Sequence, residues 1–299
     1  MSAEGAPYQG LGRPIRGPRA LTDDWSRFWH LTYNIARNEF KLRFFGSVLG
    51  YVWQLMRPLL LFGVLYVFFV LVFKVDKGKG AAGHFYGAQL LGSIELFTFF
   101  SEATTGAVRS VVDRENLVRK IQFPRLVIPL SIVLVAMFNL SLNVVVVMIF
   151  ATIAGVRPML TWLELPLIIA TLALFATGVA MLLSALFVRF RDIQPIWDVI
   201  AQILFYCSPV IIPVETVREK LALPHGALRH LLYHVYMINP LAACFQQFRH
   251  AMINHATLSA GEAIGGGLAL LEPLAFVLIV FALGFWVFNR SAPLVAENL

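Results

Sequence analysis

Residues 127–154 read VIPLSIVLVAMFNLSLNVVVVMIFATIA and hold no Asp, Glu, Lys or Arg. As a helix rising 1.5 Å per residue, this run is longer than the roughly 30 Å hydrocarbon core of a bilayer. Five more apolar runs lie at about 52–73, 85–108, 162–188, 196–213 and 270–289. Of these, 196–213 is short and ends in prolines. The 299-residue chain is 59% hydrophobic and 14% charged, against roughly 25% charged in soluble domains. Its mean hydropathy is +0.74. The expectation is an all-α membrane protein with six transmembrane helices, in a transmembrane domain covering 52–289.

The flanks of these runs give orientation. With six spans both termini lie on one side. That side collects Arg13, Arg16, Arg19, Arg27, Arg37, Lys41, Arg43 and Arg57, then Arg109, Arg114, Arg119, Lys120 and Arg125, then Arg189, Arg191 and Arg290. Basic residues remain on the cytoplasmic side of a membrane, so both termini are expected there. This places the chain in the cytoplasmic (inner) membrane as a multi-pass protein. The net charge of +7 then reflects topology and anionic lipid headgroups. No basic helix, zinc spacing or aromatic sheet pattern points to nucleic acid.

Outside the spans, residues 1–21 are rich in Gly, Pro and Arg and have too few apolar groups to build a core. They read as a disordered basic tail, with no signal peptide. Residues 22–51 hold an amphipathic helix and its lead-in. Trp25, Phe28, Trp29, Thr32, Ala36 and Phe40 fall on one side, and Arg27, Asn34, Arg37, Asn38 and Lys41 on the other. Such a helix suits the membrane interface, its aromatic side in the acyl boundary, or a face packed on a partner. Residues 214–269 are too long for a tight turn. Apolar stretches near 227–238 and 240–254, punctuated by Asn239-Pro240, predict two short helices against the outer mouth. Gly265-Gly266-Gly267 predicts a flexible joint before the last span. Residues 290–299 form a cytoplasmic tail.

The chain lacks a G-x-x-x-x-G-K-[ST] phosphate loop. It is not expected to hydrolyse nucleotide, so energy for transport must come from a partner or an ion gradient. The segment 113–124 is polar at Asp113-Arg114-Glu115-Asn116 and then carries an apolar stripe of Leu117, Val118 and Ile121, stopped by Pro124. It reads either as a short cytoplasmic helix that a motor grips or as a topological loop.

Five segments resemble one family in its own order: Leu42 to Trp53 (LRFFGSVLGYVW) followed by Arg57-Pro58; Phe99-Phe100-Ser101-Glu102; Glu115 to Arg125 (ENLVRKIQFPR); Phe190-Arg191-Asp192 with Ser208-Pro209-Val210; and Asn239-Pro240-Leu241. The chain resembles the permease subunits of type-2 ABC exporters, in the branch that carries polysaccharide, O-antigen and teichoic acid, over about residues 25–290. The resemblance implies a homodimer bound to two copies of an ABC ATPase, which would hold the ATP and Mg. It implies no cofactor in this chain. It makes 113–124 a coupling helix, with Asp113, Arg114, Glu115, Asn116, Leu117, Arg119 and Lys120 facing the ATPase. It also makes 22–45 the interface helix and 214–269 the re-entrant gate helices. The substrate would be a lipid-linked glycan or teichoic-acid-type polymer crossing at the dimer interface.

Phe62, Tyr66, Phe69 and Phe73 share one face of the first span. Such a face suits sugar rings, and equally lipid or a neighbouring helix. The family architecture puts the first and fifth spans near the channel, which adds Phe205 and Tyr206. Glu95 and Glu102 share a face of the second span, and carboxylates in a span usually face the bundle interior or water. They read as a polar channel wall or proton relay, or as structural partners, with Arg109 a candidate mate for Glu102. Asn139 and Asn143, and the ladder Ala176, Ala180 and Ser184, read as interhelical contacts. Cys207 and Cys244 show no disulfide spacing. His230 and His234 have the i,i+4 spacing of a metal pair, without an HExxH pattern or a cysteine ligand nearby. They and His225, His250 and His255 read as interfacial or surface residues.

Other functions fit less of this. A membrane transferase needs a convergent acid–base or metal cluster, and the acids here are scattered. An ion-driven carrier using Glu95 and Glu102 would usually show internal repeats. A drug or small-lipid exporter of the same superfamily would share the fold.

Overall fold

The computed structural model describes residues 25–44, 48–72, 85–115, 124–221, 227–252 and 257–291. Among these all regular structure is helical. The long helices are α1 (Trp25–Phe44), α2 (Val48–Val67, continued by a π-helical turn Phe68–Val72), α3 (Tyr86–Val108), α5 (Val127–Ile153), α6 (Leu165–Phe187) and α12 (Leu271–Ser291). Shorter ones are α4 (Ser110–Asp113), α7 (Ile193–Tyr206), α8 (Val214–Leu221), α9 (Ala227–Ile238), α10 (Pro240–Met252) and α11 (Ala260–Ile264). Pro129, Pro166 and Pro273 each sit in the first turn of a helix. A missing N–H costs nothing there, because the first-turn amides have no partner inside the helix.

Among the described residues, four helical stretches are long and apolar enough to cross a membrane: Val52–Val70, Val127–Ile153, Leu160–Phe187 and Gly267–Ser291. The other two expected spans behave differently. Residues 85–108 do form a 23-residue helix, but Gln89, Ser93, Glu95, Glu102 and Thr104 make it too polar to qualify on composition. The reason is its position. α3 packs against α2, α5, α6, α7 and α10 and is buried on nearly all sides, so it needs no lipid-facing stripe. The run expected at 196–213 is helical only over Ile193–Tyr206, 14 residues. That is about 21 Å, short of the hydrocarbon thickness, and the chain then turns through Cys207–Pro213.

Aromatic packing fills the centre. The Phe100 and Phe175 rings stack with centroids 5.4 Å apart, joining α3 to α6. α6 and α12 approach at glycines. A Cβ on Gly178 would lie 2.7 Å from the Phe281 Cα, and one on Gly284 would collide with the Gly178 carbonyl. Small residues at a crossing let two backbones touch, which is how helices associate where no hydrophobic drive separates them from lipid. Ala176, Ala180 and Ser184 are all buried on the same helix.

α1 lies along α5. The polar and apolar sides read from the sequence are present, but the centre of the apolar side is taken by protein. Phe28, Thr32 and Ala36 are fully buried, whereas Trp25, Trp29 and Tyr33 are exposed along its flank. Tyr33 and Phe40 meet Phe138 of α5 edge to face, with centroids 6.1 and 5.6 Å apart.

The described residues of 214–269 form a cap of short helices. Asn239 separates α9 from α10 as expected, and its Oδ1 accepts the Leu241 amide at 3.1 Å, with Pro240 in the first position. The cap is tied to the start of the Leu160–Phe187 stretch by Thr161 to the Ala251 carbonyl (2.7 Å) and Trp162 to the Met252 carbonyl (2.9 Å), and Tyr86 of α3 holds the turn before it through the Ile211 carbonyl (3.1 Å). Gly265 and Gly266 have φ of +128° and +144°. At the expected joint the chain reverses, and both amides bond the Gly261 carbonyl at 3.0 and 2.8 Å.

Candidate functional site

Two carboxylates on α3 organise its contact with α5. Asn143 donates to Glu95 at 2.6 Å, and Asn139 donates to both Glu102 oxygens at 2.9 Å. Glu95 is buried and closed off by this pairing. Glu102 is more open, and its other partner is Arg43 at the end of α1. The mate considered for Glu102 from sequence, Arg109, instead faces Asp113 at 3.9 Å. The two acids share a face as expected and have different surroundings.

Glu102 opens onto a cavity of about 750 Å³ between α2, α3 and α7, reached by the end of α1. Gln54, Arg57 and Leu61 line it from α2. Phe97, Thr98, Ser101 and Thr105 line it from α3, and Asp198, Gln202, Phe205 and Tyr206 from α7. Amides, hydroxyls and aromatic rings therefore face one space inside a mostly apolar bundle. Phe205 stands edge to face with Phe97, centroids 5.0 Å apart, and with Tyr206 at 5.3 Å. Tyr206 is exposed. Around this space α2 shows Val52, Trp53, Met56, Leu60 and Val64 to the outside, and α7 shows Ile196, Val199, Ile200 and Ile203.

The aromatic face of the first span is placed elsewhere. Phe62 is buried, its ring 5.3 Å from Phe150 of α5 and 5.4 Å from Tyr66. Tyr66 lies over Gly87, where a Cβ would be 3.0 Å from its ring. Phe69 is half-buried against the same core. None of the three lines the cavity. Phe73 lies outside the described residues.

Much of the segment 113–124 also lies outside them, including Asn116, Leu117, Arg119 and Lys120. Asp113 is exposed at the end of α4. Arg114 is half-buried, paired with Glu39 of α1 and bonded to Ser131 of α5 at 3.2 Å. It thus ties the start of this segment to two helices, and burial lowers its basicity. Glu115 is partly buried. Among the described residues no group of three or more His, Cys, Asp and Glu could hold a metal. His234 faces Glu272 at 3.1 Å, and His250 lies 2.8 Å from the Thr257 carbonyl. Both cysteines are free.

Residues 30–253 match the model of the ABC-2 type transporter family. The chain belongs to that family. The ABC-2 match spans α1 to α10 and so takes in both the cavity and most of the cap. As an ABC-2 protein the chain is a multi-pass transport subunit, not an enzyme. It is 26% identical over 266 residues to an O-antigen export system permease protein RfbA of Klebsiella pneumoniae, covering 89% of this chain and 93% of that protein. A second K. pneumoniae RfbA is 27% identical over 221 residues, covering 74% and 79%. The RfbA of Myxococcus xanthus is 25% identical over 227 residues, covering 75% and 81%. Of the cavity's lining, the sequence pointed to Glu102, Phe205 and Tyr206. Gln54, Thr98 and Gln202 carry no local signal, and the helical spacing that separates Leu61 from Phe62 shows two faces without saying which one is inside.

Proposed function

We propose that this chain is the permease subunit of an ATP-driven exporter of lipid-linked polysaccharide of the O-antigen type. It works as a homodimer with two ATPase subunits in the cytoplasmic membrane. Both termini are cytoplasmic, with six crossings of which α3 is the second and α7 together with the turn Cys207–Pro213 the fifth, and with residues 214–269 as the outer gate. The near end-to-end likeness to O-antigen export permeases supports the branch. The observation that carries the substrate class is the cavity of about 750 Å³, where amides, hydroxyls and aromatic faces meet. Sugar rings offer hydroxyls and apolar CH faces, and such walls satisfy both. A drug or small-lipid exporter would share the fold, but Gln54, Ser101, Glu102, Asp198 and Gln202 in this wall favour a hydroxyl-bearing cargo over a wholly apolar one.

In this reading each subunit contributes half of the channel, and the exposed apolar residues of α2 and α7 meet the second copy beside it. Of the aromatics expected along the path, Phe205 and Tyr206 keep that role, and Phe62, Tyr66 and Phe69 serve packing instead. Residues 113–124 dock on the ATPase, and Arg114 transmits their displacement to α1 and α5. Depletion of the chain should leave a lipid-linked polymer on the cytoplasmic side, detected by mass analysis of extracted lipids. No accumulation, or accumulation of a small lipid instead, would refute the glycan assignment.

A further inference from the structure

A second cavity, of about 350 Å³, opens where α6 and α12 diverge. These helices run parallel, with Gly178 against Gly284. Glu164 and Leu270, each 14 residues earlier, flank the opening, and α10 wedges between them. The floor is Ile168, Ala243, Cys244 and Val277, all buried. At the mouth are Leu167 and Leu274, exposed and continuous with the outward apolar face of α12. Two of the three walls belong to helices long and apolar enough to span a membrane. A sugar or nucleotide would leave its hydroxyls unpaired along this lining. A hydrocarbon chain would not, and pockets of this size and character between helices are usual sites for such ligands.

The rim supplies the polar end. Gln247 Nε2 donates to Glu164 Oε2 at 2.8 Å, and its Oε1 accepts the Ala260 amide at 3.1 Å. Gln247 is therefore spent, while Glu164 has no ion-pair partner among the described residues. Arg249, the one arginine of α10, is committed to Glu215 at 3.1 Å, His250 of α10 lies against the Thr257 carbonyl, and His234 of α9 faces Glu272. Among the described residues, the rim thus carries a carboxylate without an ion-pair partner above an apolar shaft.

We infer that this cavity holds one acyl chain of a membrane phospholipid with an ammonium headgroup, its amine beside Glu164. The chain fills the gap between α6, α10 and α12 and so supports the cap from beneath. This site is separate from the cavity that faces α7 and stands whether or not the cargo is a glycan.

The test uses the full-length protein in vesicles doped with phosphatidylethanolamine bearing a diazirine on one acyl chain. Parallel arms use the same probe on phosphatidylglycerol and a diazirine polyprenyl phosphate. After illumination, adducts are mapped by peptide mass spectrometry. Ethanolamine-probe adducts are expected to concentrate on Leu167–Thr171, Ala243–Gln247 and Pro273–Val277, and to fall sharply in Ala243→Phe. Glu164→Gln should reduce them about threefold, the worth of one partly exposed ion pair, and leave the glycerol probe unchanged. Adducts no denser there than on Leu278–Leu283 of the wild-type chain would overturn the site. Equal labelling by both headgroups would overturn the amine assignment, and preferential labelling by the polyprenyl probe would overturn the phospholipid.

Discussion

The Asn143 amide lies 2.6 Å from Glu95 inside the bundle, and its removal leaves a carboxyl group with no protein partner. Asn143→Val should lower unfolding stability in detergent by about 1–3 kcal/mol, the cost of stranding a buried polar group. Replacing both residues by leucine should restore much of the loss, since neither partner is then left unsatisfied. Thermal melts followed by circular dichroism would show either outcome. The glycines separate into two kinds in the same way. Gly284→Ala drives a methyl group into the Gly178 carbonyl and should cost about 1–3 kcal/mol as overpacking. Gly63→Ala meets nothing within 4 Å and should stabilise α2 by about 0.5–1 kcal/mol through lost chain entropy. A melt of the two variants in which Gly284→Ala is the milder would contradict the crossing described above. Asn139 and Asn143 were readable as interhelical contacts because amides are rare in apolar runs. Gly178 and Gly284 were not, since each is one glycine among 21 and only their mutual approach distinguishes them.

At the scale of elements, α8 is held to α10 by charge. Arg249 is almost fully buried, pairs with Glu215 at 3.1 Å and accepts support from Gln246, whose Oε1 lies 3.1 Å from its Nη1. Breaking a buried pair from one side leaves an uncompensated charge and typically costs about 3–5 kcal/mol. Arg249→Met should therefore expose the 214–221 segment to limited proteolysis, while Arg249→Met with Glu215→Leu should protect it again. A single variant as resistant as the parent would remove the pair from the account of how the cap is fastened. The break between α9 and α10 was legible in Asn239-Pro240, because proline at a first helical position and a side chain that caps it are local chemistry. The partner of Arg249 was not, because it lies 34 positions away and no sequence pattern links the two. The coupling segment also belongs here. Scrambling 113–124 should abolish ATPase co-purification while membrane insertion persists, and undiminished co-purification would count against its docking role.

For the whole molecule, the decisive contrast is between aromatic residues on neighbouring helix faces. Tyr206→Ala and Phe205→Ala should slow polymer export with little change in melting temperature, because Tyr206 is exposed and Phe205 only half-buried. Phe62→Ala should act through stability, by about 3–5 kcal/mol for a buried phenylalanine, with export lost only as protein is lost. Transport assays normalised to folded protein would separate the two, and the reverse pattern would put the path on the α5 side of α2. The sequence by itself determined that the chain is helical, lies in a bilayer, and carries a family's motifs in order, since apolar length and proline placement act over a few neighbouring residues. It also expected α3 as a span carrying two acids, but offered Arg109 where Asn139 and Arg43 are the partners of Glu102. Only the tertiary structure decided that Glu95 is sealed while Glu102 opens to a cavity, that Phe62 is core while Tyr206 is wall, and that α7 stops short. Those outcomes depend on which helices become neighbours. Every helix face in an apolar bundle is hydrophobic, so burial there leaves no periodic trace for a sequence to display.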